Sequence, residues 1–179
     1  MQDDTNANGT ANGRFASLTP LLQPRSVAVV GASADATRIG GRPVSYMLRG
    51  EFQGRVMPVN PKRSEIQGLP AYASIDDLPD APDASVVAVP AAQVVDTVDA
   101  LGRRGGRSAI IFSSGFSEVG AQGEALQQQL LATARRHGMR LLGPNTAGAF
   151  NSTIGFFGSF MSGHPSWAST EESASSIIE

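Results

Sequence analysis

Five apolar runs constrain this sequence more than any other feature. Each is stopped by glycine, proline or a small polar residue, and each of the first four is followed by enough chain for a helix. The first is Ser26-Val27-Ala28-Val29-Val30, which ends abruptly at Gly31-Ala32-Ser33. The second, Arg55-Val56-Met57-Pro58-Val59-Asn60, gives way to Pro61-Lys62-Arg63. A third, over 84–89, is stopped by Pro90; a fourth, over 108–112, precedes Ser113-Ser114-Gly115-Phe116. The fifth, over 139–142, runs into Gly143-Pro144-Asn145. These are continuous apolar runs rather than alternating ones, so each is expected to be buried on both faces, as strands of a parallel sheet are. Between them Val94, Val95, Val98 and Leu101 recur at helical spacing over 91–104, and Leu126, Leu130, Leu131 and Ala134 do so over 121–137. Pro43 suits the first turn of a helix over 43–50. A short apolar element over 18–22 and a short helix over 74–78 complete the pattern. The expected fold is α/β: a Rossmann-like, doubly wound, mainly parallel five-stranded sheet with helices on both faces.

With 179 residues there is room for one domain with a substantial core, not for two. The content of 41% hydrophobic and 17% charged residues is that of an ordinary globular protein. A formal net charge of −2 removes any global electrostatic case for nucleic acid or acidic membranes as partners, while leaving room for a local basic patch. Cysteine is absent, which excludes disulfides, thiolate metal sites and a cysteine nucleophile. No apolar run approaches the roughly 18 residues that cross a bilayer, and residues 1–13 lack both parts of a leader, so a cytoplasmic protein is expected. Residues 1–16 read as a disordered arm and 17–150 as the domain. Residues 151–179 read as an apolar and then serine-rich tail, a truncated or non-native continuation with little to offer a core.

In open parallel sheets ligands sit beyond the carboxyl ends of the strands, so those ends are the candidate site. Gly31 permits a tight turn, and Ser33 offers a hydroxyl and an N–H near a helix N-terminus, where phosphate is favoured; a plain strand-to-helix turn explains them as well. The spacing is not Gly-x-Gly-x-x-Gly, and no acidic residue follows the second strand to hold a ribose hydroxyl. Asn60, Lys62 and Arg63 stand there instead, pointing to a phosphorylated ribose or a diphosphate, or else to solvated surface charge. Val89 and Pro90 form an apolar wall or a simple strand stop. Ser113, Ser114 and Gly115 leave room and supply donors, Glu118 caps the next helix or meets a ligand amide, and Asn145 bonds a loop or a ligand.

Read together, Leu21-Leu22-Gln23-Pro24-Arg25-Ser26-Val27-Ala28-Val29-Val30-Gly31-Ala32-Ser33, Pro58-Val59-Asn60-Pro61-Lys62, Ser114-Gly115-Phe116-Ser117-Glu118 and Gly143-Pro144-Asn145 carry a resemblance. Over residues 17–160 the chain resembles the CoA-binding domain of the NDP-forming acyl-CoA synthetases, the superfamily of acetate–CoA ligase (ADP-forming) and the succinyl-CoA synthetase alpha subunit. The resemblance implies that Gly31, Ala32 and Ser33 line the CoA diphosphate and that Lys62 meets a CoA phosphate. It implies that Val89, Pro90, Ser113, Ser114 and Gly115 flank the pantetheine arm. Thr146 stands where the family often has cysteine. The family's reaction, acid with CoA and ATP giving acyl-CoA, ADP and phosphate, passes phosphate through a histidine in a following domain and uses an ATP-grasp domain. His137 and His164 match no phosphohistidine context and read as structural or incidental.

The leading expectation is therefore a module that binds CoA or acyl-CoA, with no catalytic residue of its own and no metal. The missing ligase domains, or a separate ATP-grasp subunit, are its expected partners. An NADP-binding oxidoreductase domain is the second reading. A regulatory domain with a vestigial pocket, whose apolar run 154–161 is an exposed partner surface, is the third.

Overall fold

The apolar runs become the strands of one parallel sheet in the computed structural model, which describes residues 17–162. The expectations for the arm 1–16 and for the serine-rich tail with His164 lie outside these residues. In chain order the first elements are α1 (Thr19–Leu22), β1 (Ser26–Val30), α2 (Arg42–Arg49), β2 (Arg55–Val59), β3 (Glu65–Ile66) and β4 (Leu69–Pro70). They are followed by β5 (Ala84–Val87), α3 (Ala91–Arg103), β6 (Ser108–Ile111), α4 (Ala121–Arg136), β7 (Arg140–Leu142), β8 (Gly148–Asn151) and β9 (Phe156–Ser159). The main sheet has the order β2-β1-β5-β6-β7, and its strands are all parallel.

The register shows why the strand sequences do not alternate. Rows Ala28–Met57–Ser85–Ala109 and Val30–Val59–Val87–Ile111 cross one face, and Val29–Val86–Ile110 crosses the other. α3 and α4 cover the first face through Val94, Val98, Leu101, Leu130 and Ala134. α1 and α2 cover the second through Leu21, Val44, Tyr46 and Met47. Each apolar strand side chain taken fully from water contributes about 1.5–3 kcal/mol, against the entropy of ordering it. Glycines time the helix ends: Gly105 (φ 88°) lets Gly106 N–H return to Leu101 O at 2.8 Å, and Gly138 (φ 66°) lets Met139 N–H return to Ala134 O at 2.9 Å.

Two local expectations are corrected, and one hairpin appears where the sequence carried no period. Residues 74–78 are a turn rather than a helix: the Asp77 carboxylate accepts from both the N–H and the hydroxyl of Ser74, at 2.9 and 2.7 Å, and Leu78 N–H closes on Ile75 O at 3.2 Å. The glycine–proline segment after β2 contains an antiparallel hairpin, β3–β4, turning through Gln67 (φ 52°) and Gly68 (φ 82°). The run 154–161 is not an exposed surface: Phe156 and Phe157 are 0% and 2% exposed in the second core cluster. The hairpin β8–β9 lies over β6 there, with no room for a side chain at Gly158 beside Ile110. Gly155 (φ 67°) seats it against the end of α2, where an added Cβ would stand 2.0 Å from Gly50 O.

His137 makes a tertiary contact. Its Nε2 meets Asp99 Oδ1 at 2.8 Å across the α3–α4 contact, where Arg136 and Arg103 also reach Asp99, at 2.8 and 3.2 Å. The hydrogen bond from His137, followed by that from Arg136, holds the Asp99 carboxyl below the usual carboxylate range. A depressed native value stabilises the fold above the unfolded-state pKa and is lost as pH falls through the native one. The melting-temperature advantage of the native chain over Asp99→Asn should thus shrink as pH falls below about 5, through the unfolded-state pKa and then the lowered native one; an advantage constant with pH would contradict it.

Candidate functional site

In the order β2-β1-β5-β6-β7 the chain leaves β1 in one direction and later returns on its other side, opening a crevice at the carboxyl ends of the central strands. Gly31 stands at that point with φ 83°, and a Cβ there would lie 2.3 Å from Ala88 O. The loop after β1 folds back so tightly that a Cβ on Gly40 would lie 2.1 Å from Gly31 O. Backbone thus packs on backbone where β1, β5 and the start of α2 meet.

The resulting cleft, of ≈ 890 Å³, is lined by Gly31, Ala32, Ser33, Asn60 and Lys62, which brings together five of the sequence-predicted residues. Arg38, Arg42 and Arg63 line it as well, facing a single carboxylate, Asp35. That carboxylate is already engaged. It accepts from the Thr37 hydroxyl and N–H at 2.6 and 2.9 Å and pairs with Arg38 at 3.5 Å. The Thr37 bonds and, after them, the Arg38 charge hold it below its ordinary pKa. Four cations against one satisfied anion make a locally basic cleft in a chain of net charge −2.

The loop amides are not offered as the sequence suggests. Gly31 and Ala32 N–H donate to Val59 O at 3.2 and 3.3 Å, and Ser33 N–H donates to Gly40 O at 3.3 Å. The Ser33 hydroxyl accepts from Asp35 N–H. Positive charge in this cleft therefore comes chiefly from side chains. Asn60 braces the same loop: its amide donates to Ala32 O at 2.8 Å while its oxygen accepts from Lys62 N–H at 2.8 Å.

A second cleft, of ≈ 750 Å³, shares Gly31, Asn60 and Lys62 with the first and adds Val89, Pro90 and Ile75 as an apolar wall. Gln93, Asp96 and Thr97 of α3 supply its polar side. Among the described cavities none is lined by Ser113, Ser114, Gly115 or Asn145. Ser113 and Asn145 lie in a supporting row instead: the Ser113 hydroxyl donates to Val89 O, and Asn145 N–H donates to Ser113 O at 3.0 Å. Glu118 does not cap α4. Its carboxylate takes the N–H groups of Gly115 and Phe116, at 2.6 and 3.1 Å, which lowers its pKa. Sequence reading missed Arg38, Arg42, Gln93 and Asp96. Arg38 and Arg42 follow Gly-Ala-Ser closely enough to have been suspected, but the helical positions carried no signal apart from facing away from the α3 core stripe.

Residues 25–152 match the family described as CoA binding domain. The chain belongs to that family. An Archaeoglobus fulgidus acetate–CoA ligase (ADP-forming) II is 41% identical to this CoA binding domain over 143 residues, 80% of this chain and 21% of the relative. The alpha subunit of acetate–CoA ligase (ADP-forming) I of Pyrococcus furiosus is 39% identical over 149 residues, 78% of this chain and 32% of the relative. Among solved structures, a Ca. Korarchaeum cryptofilum dinucleotide-forming acetyl-coenzyme A synthetase 1 in complex with phosphate and ADP superposes with a TM-score of 0.76 at 38% identity. It covers 80% of this chain and 31% of that one. The chain thus spans about a fifth to a third of the length of these relatives.

The cleft chemistry fits CoA. A diphosphate and a ribose 3′-phosphate need several cations close together and a backbone that lets them approach, and Arg38, Arg42, Lys62 and Arg63 beside Gly31 provide both. The apolar wall of the second cleft suits the uncharged parts of the molecule. Among the described residues, no cluster of His, Asp and Glu could hold a metal ion, and no helix is long and apolar enough to cross a membrane.

Proposed function

We propose that this CoA binding domain holds CoA and its acyl thioesters across the two joined clefts, as the CoA-carrying part of an ADP-forming acid–CoA ligase working in the cytoplasm. The observation that carries the reading is the group of four cations facing one pre-engaged carboxylate at the switch point of the sheet. Lys62 lines both clefts, which supports its meeting a phosphate where they join. Asp76 and Asp96 on the second cleft disfavour a phosphate there and suit the amino group of an adenine. Val89 and Pro90 pack against uncharged parts of the ligand. Ser113 and, through it, Asn145 act by holding the Val89 loop rather than by lining a cleft. Phosphoryl transfer and ATP binding belong to further ligase domains or to a separate ATP-grasp subunit. The relatives named for such ligases are three to five times longer than the stretch they share with this chain.

An NADP-binding domain would use the same basic strand end, so the test sets the ligands side by side. By isothermal titration, CoA and acetyl-CoA should bind alike, since they share the phosphates on which recognition rests. Removing the 3′-phosphate, as in dephospho-CoA, should weaken binding by about tenfold or more. Tighter binding of NADPH than of CoA would sink the proposal.

A further inference from the structure

We infer that Gln67, at the tip of the β3–β4 hairpin, is a positioning residue for phosphate binding: it holds the loop between β1 and α2 in the shape that faces an anion by taking two of that loop's carbonyl oxygens. The inference rests on the CoA reading above and says how its cleft is kept in order. An anion site fails when carbonyl dipoles turn into it, so a loop that carries phosphate-facing cations must dispose of its own oxygens elsewhere. Here Ala32 O accepts from the Asn60 amide at 2.8 Å, and Thr37 O accepts from Arg42 Nε at 2.9 Å. Asp35, Arg38 and Gly40 carbonyls accept from N–H groups within the loop. The oxygens of Ser33 and Gly41, near the two ends of the loop, both accept from the single Nε2 of Gln67, each at 3.0 Å, and Gly41 O accepts from Ser45 N–H of α2 as well, at 3.0 Å. One side-chain amide therefore staples the mouth of the loop that carries Arg38 and leads into Arg42 at the start of α2.

The staple is built on a firm base. Ile66, the neighbour of Gln67, is 0% exposed in the second core cluster, and the hairpin holds Gln67 at φ 52°. That left-handed conformation is strained for a non-glycine residue, and here it coincides with both hydrogen bonds. Nothing in the sequence marks Gln67 as part of the site, because its partners lie 34 and 26 residues away.

Gln67→Met keeps the shape of the side chain and removes the donors, whereas Gln67→Glu puts an acceptor against two carbonyls. CoA and ADP are titrated calorimetrically into the full chain and both variants, with melting temperatures measured alongside. Gln67→Met should weaken CoA and ADP by the same factor, about tenfold, with melting changed by only a few degrees; Gln67→Glu should weaken both further. Affinities within about twofold of the native chain, or losses that merely follow the fraction unfolded, would overturn the inference. If neither variant folds, the native chain still decides it. Saturation with ADP should shift the Gln67 side-chain amide resonances together with the backbone amides of 33–41, and a shift of the loop that leaves Gln67 unmoved counts against it. A native chain that binds ADP but not CoA overturns the functional reading and leaves the Gln67 comparison intact with ADP as ligand. A native chain that binds neither overturns both.

Discussion

Gly31→Ala should abolish measurable CoA binding and lower the stability of the domain by about 3 kcal/mol or more. Two costs combine. At φ 83° an L side chain is strained by about 1–2 kcal/mol. The added methyl group would also stand 2.3 Å from the Ala88 carbonyl oxygen and 3.2 Å from a Val89 side-chain carbon. A backbone carbonyl cannot swing aside as a flexible side chain can, so β5 and its following loop must move away from β1. That movement opens the junction of the two clefts, and the effect on binding should exceed the effect on stability. Chemical denaturation and a CoA titration on the same preparation check both parts. A variant with native midpoint and native affinity would mean that the strand ends are not packed as described.

Lys62→Ala should produce the second largest effect, with the opposite profile. The Lys62 side chain is exposed, and among the described residues no carboxylate lies within ion-pair distance of it, so its removal should leave the melting temperature unchanged. It lines both clefts, and the loss of one charge-assisted phosphate contact corresponds to about 1.5–3 kcal/mol, or roughly ten- to a hundredfold in Kd; its exposure favours the lower figure. Raising the salt concentration should weaken the native chain more than the variant, because screening acts on the charge the variant lacks. CoA affinity indifferent to Lys62→Ala would remove the link between the two clefts.

Much of the fold was legible because burial on both faces leaves a plain trace. A strand such as Val27-Ala28-Val29-Val30 can be apolar throughout only if helices cover both sides, and α1 with α2, and α3 with α4, do so. The hairpins were not legible. β3 and β4 are two residues each, too short for any period to register, and β8–β9 is buried by its fit over β6 rather than by a pattern of its own. At the site, Gly31, Ala32, Ser33, Asn60 and Lys62 were found because parallel topology dictates where strand ends converge. Which of their atoms remain available was beyond reach. The Ser33 N–H faces Gly40 O, and Ser113 faces Val89 O, by tertiary placement that sequence spacing does not reveal. For the same reason Arg38, on a loop whose path is set by Gly31, Gly40 and Gln67, and Arg42, at the helix start that follows it, entered only with the structure.

The central claim is that the cleft at the carboxyl ends of β1, β2 and β5 receives CoA, and mapping the bound ligand on the protein tests it most directly. In a titration of the isotope-labelled chain with CoA, the amides of Gly31, Ser33, Arg38, Lys62 and Val89 should shift together and saturate at one concentration. Those of Arg25, Asp83 and Arg107, at the opposite ends of the strands, should stay in place. No shifts at millimolar CoA, or shifts gathered around Asp83, would contradict the claim.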